Sequence, residues 1–156
     1  MKIFLSLALI LSVVFLNSCS KTDASGCQPA SVASEKAQMV AYCTSNSITY
    51  TEHTSGLLYE IINQGSAVSA TSTSTVSVVY TGKLLNGTTF DATANPIALS
   101  LGSVIEGWKI GIPLIKKGGR IKLIIPSALA YSCTGAGNSI PPNTPIFFDV
   151  TLTDVK

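Results

Sequence analysis

Asn86-Gly87 stands between two runs of alternating side chains and turns them into an antiparallel pair. A two-residue type I′ turn needs positive φ at both central positions, which asparagine and glycine tolerate best. On the incoming run Val76, Val78, Tyr80 and Gly82 share one face, with Ser77, Val79, Thr81 and Lys83 on the other. The returning run carries Thr88-Thr89-Phe90-Asp91 back alongside Tyr80. The same period of two recurs in Leu57, Tyr59 and Ile61 against Leu58, Glu60 and Ile62, ended by Asn63-Gln64-Gly65. It recurs in Ile97, Leu99 and Leu101, and in Ile121, Leu123 and Ile125, where Pro126 stops pairing. Ile146, Phe148, Val150 and Leu152 form a closing strand. Ser66 to Thr75 is too polar for a central strand and reads as a loop or an edge. Ser127 to Asn143 is a long loop rich in Gly, Ser and Pro, a length that in compact domains usually signals function or disorder.

One stretch follows a different period. In Val104-Ile105-Glu106-Gly107-Trp108 and the residues after it, Trp108, Ile112 and Ile115 fall at i, i+4 and i+7, one face of a short helix. Gly107 lets another group approach the backbone there, and Pro113 ends the helix early. Lys116-Lys117-Gly118-Gly119 is the turn that follows. The fold class expected is therefore α+β, a curved antiparallel sheet of about five strands wrapped over one short helix. The only tryptophan sits on that helix, as core or as the floor of a pocket.

The ends of the chain carry other information. Met1-Lys2 precedes a predominantly apolar run from Ile3 to Leu16, broken only by Ser6 and Ser12, too short to span a bilayer and shaped like a secretory signal. Leu16-Asn17-Ser18-Cys19 resembles a bacterial lipobox, which implies a signal peptide over 1–18 and acylation of Cys19. Residues 19–54 read as a lipid-attached tether with a short helix, capped by Ser34, edged by Met39, Val40 and Cys43 and ended by Asn46. Cys27, Cys43 and Cys133 then remain, an odd number, and an exported chain permits a disulfide between any two of them. No cysteine pair has metal-finger spacing and His53 is the only histidine, so no metal site or other cofactor is expected. With charged residues at 12% and a formal net charge of +2, the chain lacks the basic face that nucleic acid requires. Lys116, Lys117, Arg120 and Lys122, its one basic cluster, read as a solvated turn.

Across residues 55–156 several short motifs occur together: Val79-Tyr80-Thr81-Gly82, Gly87-Thr88-Thr89-Phe90-Asp91, Val104-Ile105-Glu106-Gly107-Trp108, Gly118-Gly119-Arg120, Ile125-Pro126, Ala130-Tyr131, Ile140-Pro141-Pro142 and Phe148-Asp149-Val150. In this order and spacing they resemble the FKBP-type peptidyl-prolyl cis-trans isomerases. The resemblance implies that a prolyl ring rests on Trp108, between walls formed by Tyr80, Phe90, Ile97, Val104, Ile105 and Phe148. It also implies that the Ile105 backbone N–H and the Tyr131 hydroxyl donate to substrate carbonyls, and that Asp91 is the pocket carboxylate. Ile97 stands where many members carry an aromatic residue, and Ser132 where they carry glycine.

The function expected is therefore that of an extracytoplasmic, membrane-anchored prolyl isomerase. It would be a monomer that assists folding of exported, proline-containing polypeptides, with the family's macrolides as further ligands. The alternative is a peptide-binding lipoprotein with chaperone-like action and little turnover, and the aromatic residues alone would equally suit a plain sheet core. Several acyl chains, at about 0.8 kcal/mol per buried methylene, would hold the chain on a membrane. Cys19→Ala is therefore expected to move the protein from the membrane to the soluble fraction; unchanged membrane retention would show that Cys19 is not the anchor.

Overall fold

The computed structural model describes residues 26–156, so the signal segment 1–18 and Cys19 lie outside the described residues. Helix α1 (Val32–Ser45) comes first, then strands β1 (Thr51–Glu52), β2 (Leu58–Asn63), β3 (Thr75–Leu84) and β4 (Thr89–Ser100). Helix α2 (Glu106–Gly111), β5 (Arg120–Ile125) and β6 (Ile146–Val155) complete the order. The strands form one antiparallel sheet in the order β1-β2-β5-β6-β3-β4. There are six strands where about five were expected, because Thr51–Glu52 adds a short edge beside Tyr59 and Leu58.

The period of two is visible in burial. Ile121, Leu123 and Ile125 of β5 join Ile146, Phe148, Val150 and Leu152 of β6 in one core, together with Val76 and Val78 of β3. Against that face packs α2, whose Trp108 is buried along with Ile112 and Ile115. Two glycines let the helix come down onto β5. A Cβ on Gly107 would stand 2.5 Å from Ile125 Cγ2, and one on Gly111 would stand 2.5 Å from Leu123 Cδ2. The α-helical hydrogen bonding ends at Gly111 and a 3₁₀ turn spans Ile112–Leu114, as the missing N–H of Pro113 requires.

The opposite face of the sheet has its own core. Leu58, Ile124 and Phe147 point there and meet Met39 and Cys43 of α1, with Ile48 beside them. Burial pushes the Cys43 thiol above its ordinary pKa, the condition of an inert packing residue. The N-cap of α1 is Ser31, whose hydroxyl accepts from the Ser34 N–H at 3.2 Å, rather than Ser34 itself; Asn46 closes the helix as read from sequence.

Two further details depart from the sequence reading, and a third selects among the cysteine pairings it left open. The β3–β4 turn is not type I′: the Gly87 N–H donates to the Leu84 carbonyl and the Leu84 N–H to the Thr88 carbonyl, and Asn86 keeps a negative φ while Gly87 has φ +93°. That is a three-residue loop ending in a left-handed glycine, the next most favoured hairpin closure. The runs at Thr89–Asp91 and Ile97–Leu99 belong to one strand, β4, broken only by a register shift: Tyr80 faces Thr93 and Val78 faces Ile97. Pro96 falls within that irregular stretch on an edge strand, where a missing N–H costs no ladder bond. Cys27 pairs with Cys133 across 106 residues, leaving Cys43 free and buried.

The basic cluster is largely neutralised. Lys117 meets Asp154 at 2.7 Å, Lys122 meets Glu60 at 2.9 Å, and Arg120 makes a two-pronged contact with Asp149 at 2.8 and 2.7 Å. Because Met39 is fully buried against the outer face of the sheet, Met39→Ala is expected to cost about 2–5 kcal/mol in urea unfolding. An unchanged midpoint would show α1 to be independent of the domain.

Candidate functional site

On the α2 side of the sheet a cleft of about 300 Å³ opens, lined by Tyr80, Asp91, Leu99, Ser103, Val104, Ile105, Trp108, Tyr131 and Phe148. Its floor is an aromatic cluster. Trp108 lies 5.2 Å from Tyr80 and 5.1 Å from Phe148, both edge-to-face, and Phe148 meets Phe90 at 5.4 Å in the same manner. Such pairs add to the burial of the rings and fix their orientation. Gly82 makes room for them, since a Cβ there would stand 2.6 Å from Phe148 and 2.8 Å from Phe90.

The polar groups come from four places in the fold: β3, β4, the start of α2 and the loop after β5. Tyr80 on β3 and Asp91 on β4 lie two register positions apart, with Gly82 directly opposite Asp91. A tyrosine can span that diagonal. The Tyr80 hydroxyl donates to Asp91 Oδ2 at 2.6 Å. Burial, then the hydrogen bond to Asp91 and its negative charge, push the Tyr80 phenol up to about 12. Burial and the same carboxylate also raise Tyr131, which arrives from the long loop after β5. Ile105 is the N-cap of α2, with φ −59° and ψ 151°, and its carbonyl accepts from the N–H groups of Trp108 and Lys109. Its own N–H has no protein acceptor among the described residues.

Seven residues picked out by sequence therefore meet around one cleft: Tyr80, Asp91, Val104, Ile105, Trp108, Tyr131 and Phe148. Phe90 stands one ring further along, behind Phe148, and lines a neighbouring hollow with Leu84, Asn138, Ser139 and Pro141. Ile97 packs on the core opposite Val78 and does not line the cleft. Leu99 takes that wall instead, two positions along the same alternating set, together with Ser103. The alternation that marked Ile97 also contained Leu99, but only the displaced register of β4 decides which of them reaches the cleft. Among the described residues no cluster of three His, Cys, Asp or Glu is placed to hold a metal ion.

The sequence and the fold have counterparts among known proteins. The family model for the FKBP-type peptidyl-prolyl cis-trans isomerase matches residues 66–153. The chain belongs to that family. It is 47% identical over 105 residues to a probable FKBP-type peptidyl-prolyl cis-trans isomerase of Haemophilus influenzae, covering 65% of this chain and 44% of the relative. It is 43% identical over 104 residues to FkpA of Escherichia coli, covering 65% of this chain and 38% of that protein. The chain thus spans less than half the length of these curated relatives. The crystal structure of FkpA from Escherichia coli superposes with a TM-score of 0.71 at 37% identity, over 80% of this chain and 61% of that one. A peptidyl-prolyl cis-trans isomerase from Pseudomonas syringae superposes with a TM-score of 0.70 at 28% identity, over 83% of this chain and 98% of that one.

The Tyr80 to Asp91 contact gives the site a measurable signature. Because the folded value of Tyr80 lies above the ordinary 10, its stabilising contribution is complete below about pH 10 and is lost as pH rises towards 12. Difference titration of phenolate absorbance against Tyr80→Phe is expected to place Tyr80 near 12, and Asp91→Asn to lower it. A Tyr80 that ionises at its ordinary value in the folded protein would refute the contact.

Proposed function

We propose that this chain is a peptidyl-prolyl cis-trans isomerase acting on proline-containing polypeptides, with the prolyl ring seated on the Trp108 indole. The observation that carries this reading is a small apolar cleft floored by one buried indole and edged by oriented donors, in a chain of this family. Rotation about an X-Pro bond breaks no covalent bond, so the site needs no nucleophile. The barrier of about 18–20 kcal/mol arises because twisting removes amide resonance. Twisting also lowers the polarity of the amide, so an apolar cleft disfavours the planar ground state more than the twisted one. Tyr80, Phe148, Val104 and the Ile105 side chain would enclose the ring. The Ile105 N–H and the Tyr131 hydroxyl would receive the displaced carbonyls. Asp91 would hold the Tyr80 hydroxyl and with it one wall, and Phe90 would back Phe148.

The proposed setting is extracytoplasmic, with the domain held on a membrane through acylated Cys19 and assisting folding of exported chains. The lipobox-like Leu16-Asn17-Ser18-Cys19 supports the anchor, and the family's macrolides are proposed as competing ligands. Uncatalysed isomerisation takes tens to hundreds of seconds, long enough to limit folding of such chains.

The test is isomerisation of a proline-containing peptide by the purified protein. Acceleration above background is expected, with Asp91→Ala and Trp108→Leu each lowering kcat/KM by about tenfold or more, the size of one lost transition-state contact. Full turnover in both folded variants would remove these residues from the site. No acceleration by the unmodified protein, with peptide binding retained, would leave a binding module in place of an enzyme.

A further inference from the structure

Tyr131 reaches the cleft from a loop that is pinned, on both sides of that residue, by the segment preceding the sheet. On the near side, the Ser127 N–H donates to Glu35 Oε2 at 2.7 Å and the Ser127 hydroxyl donates to Glu35 Oε1 at 2.5 Å. Both residues are buried, Glu35 at 3% and Ser127 at 0% exposure, although glutamate belongs on a helix surface. On the far side, Cys133 is bonded to Cys27. A third tie closes the loop: Asn143 accepts from the Ala30 N–H at 2.9 Å and donates to the Gln28 carbonyl at 3.1 Å. Residues 27–35 thus grip the loop at 127, 133 and 143.

Between these grips the backbone is under constraint. The Ser127 carbonyl accepts from the N–H groups of both Ala130 and Ser132, folding the chain tightly around Tyr131. Ser132, directly after the tyrosine, has φ +51°, a region that disfavours residues with a side chain. Its carbonyl accepts from the Asn143 N–H at 2.8 Å. Such a conformation persists only where the surroundings over-determine it. Glu35 and its neighbours are those surroundings.

We propose that Glu35 is a positioning residue for the reaction. By holding Ser127 it sets the start of the turn that delivers the Tyr131 hydroxyl to the cleft, and the Cys27–Cys133 bond and Asn143 hold the other side. This rests on the prolyl isomerase reading for its consequence in turnover, but not for its consequence in the loop. Glu35 does not line the cleft and its side-chain hydrogen bonds go to Ser127 alone among the described residues, so its link to the cleft runs through the loop.

Two readouts on the full chain test it. In peptide isomerisation, Glu35→Ala is expected to lower kcat/KM about fivefold, the size of one net hydrogen bond, and Glu35→Gln to lose less because it keeps an acceptor. In a Tyr131→Phe background the same Glu35→Ala change is expected to cost almost nothing further, since the group it positions is gone. Equal losses in the two backgrounds would overturn the proposal. In hydrogen exchange, Glu35→Ala is expected to speed exchange across 127–135 while leaving β5 and β6 unchanged; unchanged exchange in the loop would overturn it as well. If the unmodified chain shows no isomerase activity, the functional reading fails while the exchange arm still decides the loop. If Glu35→Ala does not fold, Asn143→Gly takes its place with both readouts. Glycine suits the φ of +52° at that position and removes both bonds to residues 28 and 30.

Discussion

The contact between α2 and β5 decides where everything else in the cleft can stand. Gly107 and Gly111 are four residues apart and face Ile125 and Leu123, so the helix sits a side chain closer to the sheet than alanines would permit. At that depth the Trp108 indole reaches Phe148 on β6 and Tyr80 on β3, meeting both nearly at right angles, while Tyr80 and Phe148 meet at 66°. A ring held on two edges has little freedom to rotate, which is what a platform for a small apolar ligand requires. The cleft above it is bounded by residues at and just before the start of the helix, Ser103, Val104 and Ile105, and by Tyr131 from the long loop.

The sheet is covered on both sides, and its two faces do different work. The α2 face carries the cleft. The other face carries α1, which buries Phe147, Ile124 and Leu58 and so makes the adjacent strands β2, β5 and β6 apolar on both sides at that one level, while Lys122–Glu60 and Arg120–Asp149 pairs cover the rest of that face. A central strand buried on two faces cannot shift register without exposing one of its sets to water. Phe148 and Phe147, neighbours in sequence, are consequently fixed by opposite cores: one holds the tryptophan, the other holds α1 against Tyr42. The segment before the sheet thereby becomes part of the support for the cleft, both through the sheet and around its rim.

Much of this was legible in the sequence because two periods, 2 and 3.6, are nearly uninterrupted. Ile146, Phe148, Val150 and Leu152 form one buried face as their alternation required; Trp108 lies on α2 as expected, whereas Ile112 falls in the 3₁₀ turn and Ile115 in extended backbone beyond it, buried without continuing the helix. What was not legible depended on choices between alternatives that local chemistry leaves nearly equal. Asn86-Gly87 suits two hairpin closures, and the one adopted was decided by pairing at Leu84 and Thr88. Ile97 and Leu99 belong to the same alternating set, and the register shift between Thr93 and Ile97, invisible to any pattern of period two, put Leu99 at the cleft. Ser31 and Ser34 are both good caps, three residues apart. The cysteine pairing required knowing that residue 27 lies beside the long loop, a contact 106 residues apart in the chain. Glu35 carried no signal, because a glutamate in the first turn of a helix is ordinarily explained by the helix dipole.

The ionisable groups of the cleft narrow the chemistry it can perform. Asp91 has one oxygen engaged by the Tyr80 hydroxyl at 2.6 Å, and that phenol keeps its proton to about pH 12. Tyr131 is likewise raised by burial and by the same carboxylate, so neither tyrosine gives up a proton near neutrality. A general base works best with a pKa near the working pH, and both phenols have been moved the other way. The cleft therefore offers the Tyr131 hydroxyl and the Ile105 N–H as donors, with the Tyr80 hydroxyl already committed to Asp91, and rings as its walls. That combination is suited to a step in which the substrate changes shape and keeps all its bonds. Under the prolyl isomerase reading proposed above, no proton or electron pair moves, and the position of Trp108, Tyr80 and Tyr131 would be the whole of their contribution.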